Sequence, residues 1–246
     1  MGLPSLRTLL PRHSTNDLAR ARLLCFPFAG GAARVYFEWA SFLPDIDVCP
    51  VELAGRGFRS DEPPESDLQR LADELATALA PLFDRPVALF GHSLGARLAF
   101  QIARREPRVC GLIASGAKAP FLGRKRLVST MPRDELVREI TALGGSPPEV
   151  LADRQLMDEF VLPLLRADFR LAEYEAPAGA TVGCPIHVLA ATDDREVSLE
   201  EAAAWKRCTT GAYQLVEVPG GGHFFVVTRT QEVLAAVRGA LDSIVR

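Results

Sequence analysis

A chain of 246 residues is long enough for one large domain or two small ones. Its 48% hydrophobic and 24% charged residues suit a globular protein and exclude a highly charged disordered one. Lys and Arg number 28 against 31 Asp and Glu, a net charge of -3, which excludes a surface built for wholesale nucleic-acid binding.

No run approaches about 18 consecutive apolar residues, so no membrane span is expected. Residues 1–22 lack the apolar core of a secretory signal. Five scattered cysteines, Cys25, Cys49, Cys110, Cys184 and Cys208, show no C-x-x-C spacing. They read as reduced thiols of a cytoplasmic protein, several of them small core residues.

In chain order, residues 23–28 form a short apolar run closed by Ala29-Gly30-Gly31, the signature of a buried strand feeding a loop. A helix is predicted over 35–43 and a second strand over 48–53. Ser66-Asp67-Leu68-Gln69 fits a capping box. Leu68, Leu71, Leu75, Leu79 and Leu82 continue it as an apolar helical stripe. A third strand over 86–90 runs straight into Gly91-His92-Ser93-Leu94-Gly95 and a helix ending near Arg105. Strands follow over 109–114, 186–191 and 213–218. Helices follow over 198–207, opened by the capping box Ser198-Leu199-Glu200-Glu201, and over 230–245. Strands alternate with helices and are continuously apolar, which predicts a mostly parallel sheet covered on both faces. Between residues 118 and 181 the strand-like runs vanish. Helices are predicted there over 131–144 and 153–171, parted by a Gly/Pro-rich stretch.

Gly91-His92-Ser93-Leu94-Gly95 is a G-x-S-x-G turn in its meaningful setting, strand before and helix after. A serine on so sharp a turn presents its hydroxyl at the carboxyl end of the sheet, near the free N–H groups of the helix. Ser93 is therefore the candidate nucleophile, and a hydroxyl needs a base. Of four histidines, His13 lies in the unpatterned N-terminus, His92 is locked inside the turn and His187 starts a strand. His223 follows Gly220-Gly221-Gly222 just after the last strand and is the candidate base. The acid belongs between them in chain order, after strand 186–191; pattern alone leaves Asp193 and Asp194 equal. The backbone N–H groups of Leu94 and Ala29 are candidate oxyanion donors. The run from Gly111 to Gly116 begins like a P-loop but has Ala117 where a lysine belongs. No G-x-G-x-x-G follows a strand, and no metal-ligand spacing is seen, so no cofactor or metal is expected.

These residues resemble the type II thioesterases of polyketide and non-ribosomal peptide assembly lines, within the α/β-hydrolase superfamily. The similar segments are residues 24–31 (LCFPFAGG), 53–57 (LAGRG), 91–95 (GHSLG), 164–169 (LLRADF) and 219–225 (PGGGHFF). Leu94 stands where the family often has methionine, and Ala54 where it usually has proline. The resemblance selects Asp194 as the acid, because Arg195-Glu196-Val197-Ser198 follows it as in the family, and assigns the first-loop oxyanion donor to Ala29. It implies a single α/β-hydrolase domain over 1–246 with a helical lid inserted at 118–181. It also implies hydrolysis of acyl thioesters on the phosphopantetheine arm of an acyl or peptidyl carrier protein, without cofactor. Leu156, Phe160, Leu164 and Leu165 form the lid's apolar stripe. Arg124-Lys125-Arg126 reads as a solvated loop or as a basic patch for an acidic carrier. Carboxylesterases and acyltransferases on this frame share the same three side chains, so the triad does not separate them; a non-catalytic carrier-binding protein that kept the fold is a further alternative, against which the intact Ser93, Asp194 and His223 set argues.

Overall fold

Six strands pair in the order β2-β1-β3-β4-β5-β6, every pair parallel: β1 (Ala21–Phe26), β2 (Ile46–Pro50), β3 (Val87–His92), β4 (Val109–Ser115), β5 (Ile186–Ala191) and β6 (Tyr213–Val218). The structure, a computed structural model, describes residues 3–123, 126–145 and 147–245. The helices in chain order are α1 (Leu6–Leu9), α2 (Trp39–Phe42), α3 (Leu68–Leu79), α4 (Leu94–Arg105), α5 (Arg133–Leu143), α6 (Pro148–Ala152), α7 (Arg154–Leu156), α8 (Leu162–Ala172), α9 (Leu199–Ala203), α10 (Phe225–Thr228) and α11 (Thr230–Ile244).

Side chains alternate across a strand, and here both faces are apolar. Leu24, Phe26, Leu89, Leu112 and Val188 enter a core closed by α3 and α4. Leu23, Cys25, Phe90, Ile113 and Leu189 enter a second core closed by Tyr36, Trp39 and the α11 residues Val233, Val237 and Leu241. Among the described residues no helix is long and apolar enough to cross a membrane.

Several local expectations shift, each for a physical reason. The strand expected over 23–28 lies two residues earlier, because Pro27 has no N–H for the ladder. Its polar start is stabilised by tertiary structure: Arg22 donates to Asp47 (2.9 Å) and to the Leu82 carbonyl (2.6 Å). The helix expected over 35–43 is a 3-10 turn, Ala33–Tyr36, followed by the single turn α2. Tyr36, Trp39 and Phe90 pack edge-to-face in one cluster, centroids 4.8 to 5.7 Å apart, and the threefold spacing of Tyr36 and Trp39 suits the tighter turn. The box predicted at Ser66 is not formed. Asp67 is the cap, accepting from the amides of Gln69 (2.9 Å) and Arg70 (3.1 Å), while the Gln69 side chain accepts from Arg105 (2.8 Å). The box at Ser198 is formed, but its helix tightens to 3-10 after Ala203.

Within the described part of 118–181 every regular element is helical. The segment has its own small core of Val128, Met131, Leu136, Ile140, Met157, Leu162, Leu165 and Phe169. α5 ends at Gly144, whose φ of 79 is the left-handed cap that glycine tolerates. The stretch expected to separate two helices instead contains α6. The helix expected over 153–171 is interrupted by a π-helical turn, Met157–Val161. Pro163, in the first turn of α8, cannot supply the N–H of a continuous α-helix, which accounts for the irregular turn before it. Both ends of the segment are tied to α4 by one buried guanidinium: Arg97 donates to the carbonyls of Pro120 (3.3 Å), Leu122 (3.1 Å) and Tyr174 (2.9 Å).

Candidate active site

The chain leaves β1 toward β2 on one side and crosses back to β3 on the other, so the strand order reverses between β1 and β3. A crevice outside the carboxyl ends of strands is expected there. β3 ends at His92 and α4 begins at Leu94, which leaves Ser93 alone to make the turn. Its φ of 54 and ψ of -112 make it the only non-glycine with positive φ among the described residues. A Cβ at Gly91 would collide with the Gly95 carbonyl, and one at Gly95 with the Phe26 carbonyl, so the turn closes only with glycine at both places. The Ser93 amide donates to the Ser115 carbonyl (2.8 Å), fixing the elbow against β4.

His223 reaches this elbow from the loop after β6. Gly220, Gly221 and Gly222 carry it there with φ of 67, 97 and 61. Its Nε2 lies 3.1 Å from Ser93 Oγ and its Nδ1 lies 2.9 Å from Asp194 Oδ2. The other Asp194 oxygen accepts the amides of Glu196 (2.8 Å) and Val197 (3.3 Å), which aims the carboxylate at the imidazole. Asp193, its equal by pattern, instead accepts the Gly222 amide (2.8 Å) and shapes the histidine loop. The structure thus brings Ser93, His223 and Asp194 together.

The remaining histidines are elsewhere or otherwise engaged. His187 contacts Ser243 (3.0 Å) near the start of β5. His13 lies 2.7 Å from Asp47 and 3.3 Å from Cys49 Sγ near the start of β2, at the far end of the strands from Ser93. These three offer donor atoms within 4.8 Å of one another, a grouping that spacing did not reveal. Asp47 gives its second oxygen to Arg22, and burial pushes the Cys49 thiol well up. With its thiol held protonated and its carboxylate tied to Arg22, the cluster is not an open donor set.

His92 has a role that its position in the motif hid. It is fully buried, with Nε2 2.8 Å from the His223 carbonyl and Nδ1 2.9 Å from Ser115 Oγ. A carbonyl only accepts, so Nε2 carries the proton and donates, and Nδ1 accepts from the Ser115 hydroxyl. Burial, helped by the nearby His223 charge, lowers its pKa to about 3. His92 is therefore a neutral clamp on the backbone of His223. In the unfolded chain its pKa is about 6.5. As pH falls below that value the unfolded state binds a proton the folded state refuses. Stability should then fall by about 1.4 kcal/mol per pH unit from this group until the pH nears its folded value. Urea unfolding between about pH 7 and pH 5 should show His92→Gln with a shallower decline than wild type; equal declines would remove this account.

The loop after β1 lies beside the elbow. The Gly31 amide donates to the Phe28 carbonyl (2.8 Å), and the Gly30 amide donates to Asp168 Oδ2 (2.7 Å). Among the described residues no acceptor faces the Ala29 amide. Asp168, in α8 and completely buried, is paired bidentately with Arg56, each N···O distance 2.7 Å. Both residues lie in resemblance segments, but no sequence argument assigned them a role. A cavity of about 780 Å³ opens from Ser93, His223 and Ala29, and all four stripe residues, Leu156, Phe160, Leu164 and Leu165, line it. Of the basic cluster, Arg124 and Lys125 lie outside the described residues. Arg126 is paired with Glu135 (3.1 Å) and Glu139 (3.8 Å) of α5.

A parallel sheet with serine at the β3–α4 elbow, a carboxylate after β5 and a histidine after β6 defines an α/β-hydrolase. The chain belongs to the thioesterase family, whose thioesterase-domain model matches residues 21–241. It is 38% identical over 238 residues to a probable cadicidin biosynthesis thioesterase of Streptomyces griseus, covering 94% of this chain and 65% of that protein, just under two thirds of its length. It is 36% identical over 237 residues to the thioesterase PikA5 of Streptomyces venezuelae, covering 90% of this chain and 84% of that one. The solved type II thioesterase BorB from the borrelidin biosynthetic cluster superposes with a TM-score of 0.82 at 36% identity, covering 96% of this chain and 97% of that one. The resemblance read from the sequence is borne out.

Proposed function

We propose that the protein hydrolyses acyl thioesters carried on the phosphopantetheine arm of acyl or peptidyl carrier proteins, removing stalled or wrongly loaded groups from an assembly line. The observation that supports this most is the Asp194–His223–Ser93 chain of contacts opening onto a large cavity with apolar lid side chains along it. Ser93 Oγ attacks the thioester carbonyl while His223 Nε2 takes its proton. Asp194 holds the Nδ1 proton and stabilises the imidazolium. The amides of Leu94 and Ala29 receive the oxyanion. Collapse expels the thiol, which takes the proton back from His223. Water, deprotonated by His223, then attacks the acyl-serine; collapse returns that proton from His223 to Ser93 Oγ, and the free acid leaves. A niche of about 20 Å³ beside Ser93, Leu94 and His223 is room for one such water.

Residues 118–181 act as the lid, and their inner face receives the acyl chain. An apolar face of this kind excludes water from the ester during closure. The reading carries with it a cytoplasmic location, which the five free cysteines suit.

The test compares kcat/KM across a panel of acyl groups on a carrier protein with that on a simple ester of the same acid. A preference for the carrier-bound thioester supports the reading. A preference for the simple ester would replace it with a carboxylesterase, and acyl transfer to an added alcohol or amine in place of hydrolysis would replace it with an acyltransferase.

A further inference from the structure

We propose that the Arg56–Asp168 pair is a positioning device for the oxyanion hole: Asp168, reaching down from lid helix α8, holds the Ala29–Gly30 peptide so that the Ala29 amide stays aimed at the carbonyl under attack. The inference rests on the reading of Ser93 as the nucleophile.

The loop needs such an anchor. Gly30 and Gly31 are adjacent, and glycine has no side chain to limit the rotation of its peptide planes. Gly30 sits at φ 74, and among the described residues its amide donates only to Asp168 Oδ2, at 2.7 Å. Leu165, one helical turn earlier on α8, closes on the same glycine: a Cβ there would lie 2.8 Å from its Cδ2. One face of α8 thus meets the oxyanion loop at two points.

A lone carboxylate would be a poor anchor, since it would put negative charge one residue from a site that must stabilise an oxyanion. Arg56 removes that conflict. Its guanidinium binds both Asp168 oxygens and also donates to the Gly31 carbonyl (3.3 Å), bracketing the loop from the other side. Arg56 is 5% exposed and Asp168 not at all, so water does little to weaken either contact. The pair therefore presents the Gly30 amide with a strong acceptor while adding no net charge beside the hole. It also ties the lid to the catalytic geometry.

The experiment separates loop positioning from mere anchoring of the lid. Arg56→Met/Asp168→Leu replaces the pair with apolar groups, a change often neutral for folding. Asp168→Asn keeps an oxygen facing Gly30 and supplies a second variant if the first folds poorly. Each is assayed with a short acyl thioester of N-acetylcysteamine, too small to depend on the lid, and with a long-chain one. Each is also titrated with a short-chain trifluoromethyl ketone, which forms a tetrahedral oxyanion adduct with an active serine.

The double variant is expected to lose roughly 100-fold in kcat on the short substrate with little change in KM, and to bind the ketone more weakly by a similar factor. Asp168→Asn is expected to lose roughly tenfold on both measures. If kcat on the short thioester and ketone affinity hold while KM for the long thioester rises, the pair only anchors the lid and the proposal fails. If wild-type protein forms no serine adduct with the ketone, the underlying reading fails instead.

Discussion

Ser93→Ala should lower acyl-thioester hydrolysis by roughly 10⁴- to 10⁶-fold, the range seen when a triad nucleophile is removed. Alanine keeps the Cβ, so the elbow with its φ of 54 is unchanged and the loss is chemical rather than structural. His223 keeps its Nδ1 contact with Asp194 (2.9 Å), while its Nε2 loses the Ser93 hydroxyl on the other side of the ring. The residual rate comes from the oxyanion amides acting on direct attack by water. Intact mass after mixing with substrate should show an acyl adduct on wild type and none on the variant. Hydrolysis persisting in Ser93→Ala would refute the nucleophile. A companion measurement reads the strain. A side chain in this region of backbone space costs about 1–3 kcal/mol, so Ser93→Gly should unfold at higher urea than Ser93→Ala.

Asp194→Asn should lower kcat by roughly 10⁴-fold with the fold intact. Asp194 Oδ1 accepts two backbone amides, from Glu196 and Val197. In the asparagine variant the carbonyl oxygen takes that position, and the NH₂ group turns toward His223 Nδ1. An NH₂ only donates, so Nδ1 must accept and the ring proton moves to Nε2. The nitrogen facing Ser93 can then no longer take the serine proton. Asp193→Asn should leave kcat near wild type, because its carbonyl oxygen can still accept the Gly222 amide. Steady-state kinetics on one acyl-carrier substrate compares the two. Equal losses would show that the loop, and not the carboxylate facing His223, sets the rate.

The sequence by itself determined what depends on a few neighbouring residues and on chain order. The Gly-x-Ser-x-Gly elbow is legible because strand, turn and helix follow one another in the chain: the groups a Cβ at Gly91 would meet lie within five residues, although those at Gly95 belong to Phe26 and Pro27. The continuous apolar strands announce a sheet buried on both faces. His223 follows from elimination among four histidines and from three glycines before it. Element boundaries were less legible, since Arg22 belongs to β1 only because Asp47 neutralises it, and Ser66 yields the cap to Asp67.

Tertiary structure alone decided the pairings between distant side chains. Asp193 and Asp194 are equal by local pattern; the family resemblance favoured Asp194, and the physical ground for that choice, its contact with His223 across 29 residues, exists only in the folded chain. His92 is a lone histidine beside the elbow until the His223 backbone, 131 residues away, arrives to accept its proton. Arg56 and Asp168 are 112 residues apart, and neither has local periodicity to mark it. A buried charge is tolerable only when an opposite charge is folded against it, and that partner is chosen by how α8 packs against the loops after β1 and β2 rather than by any neighbour in the chain.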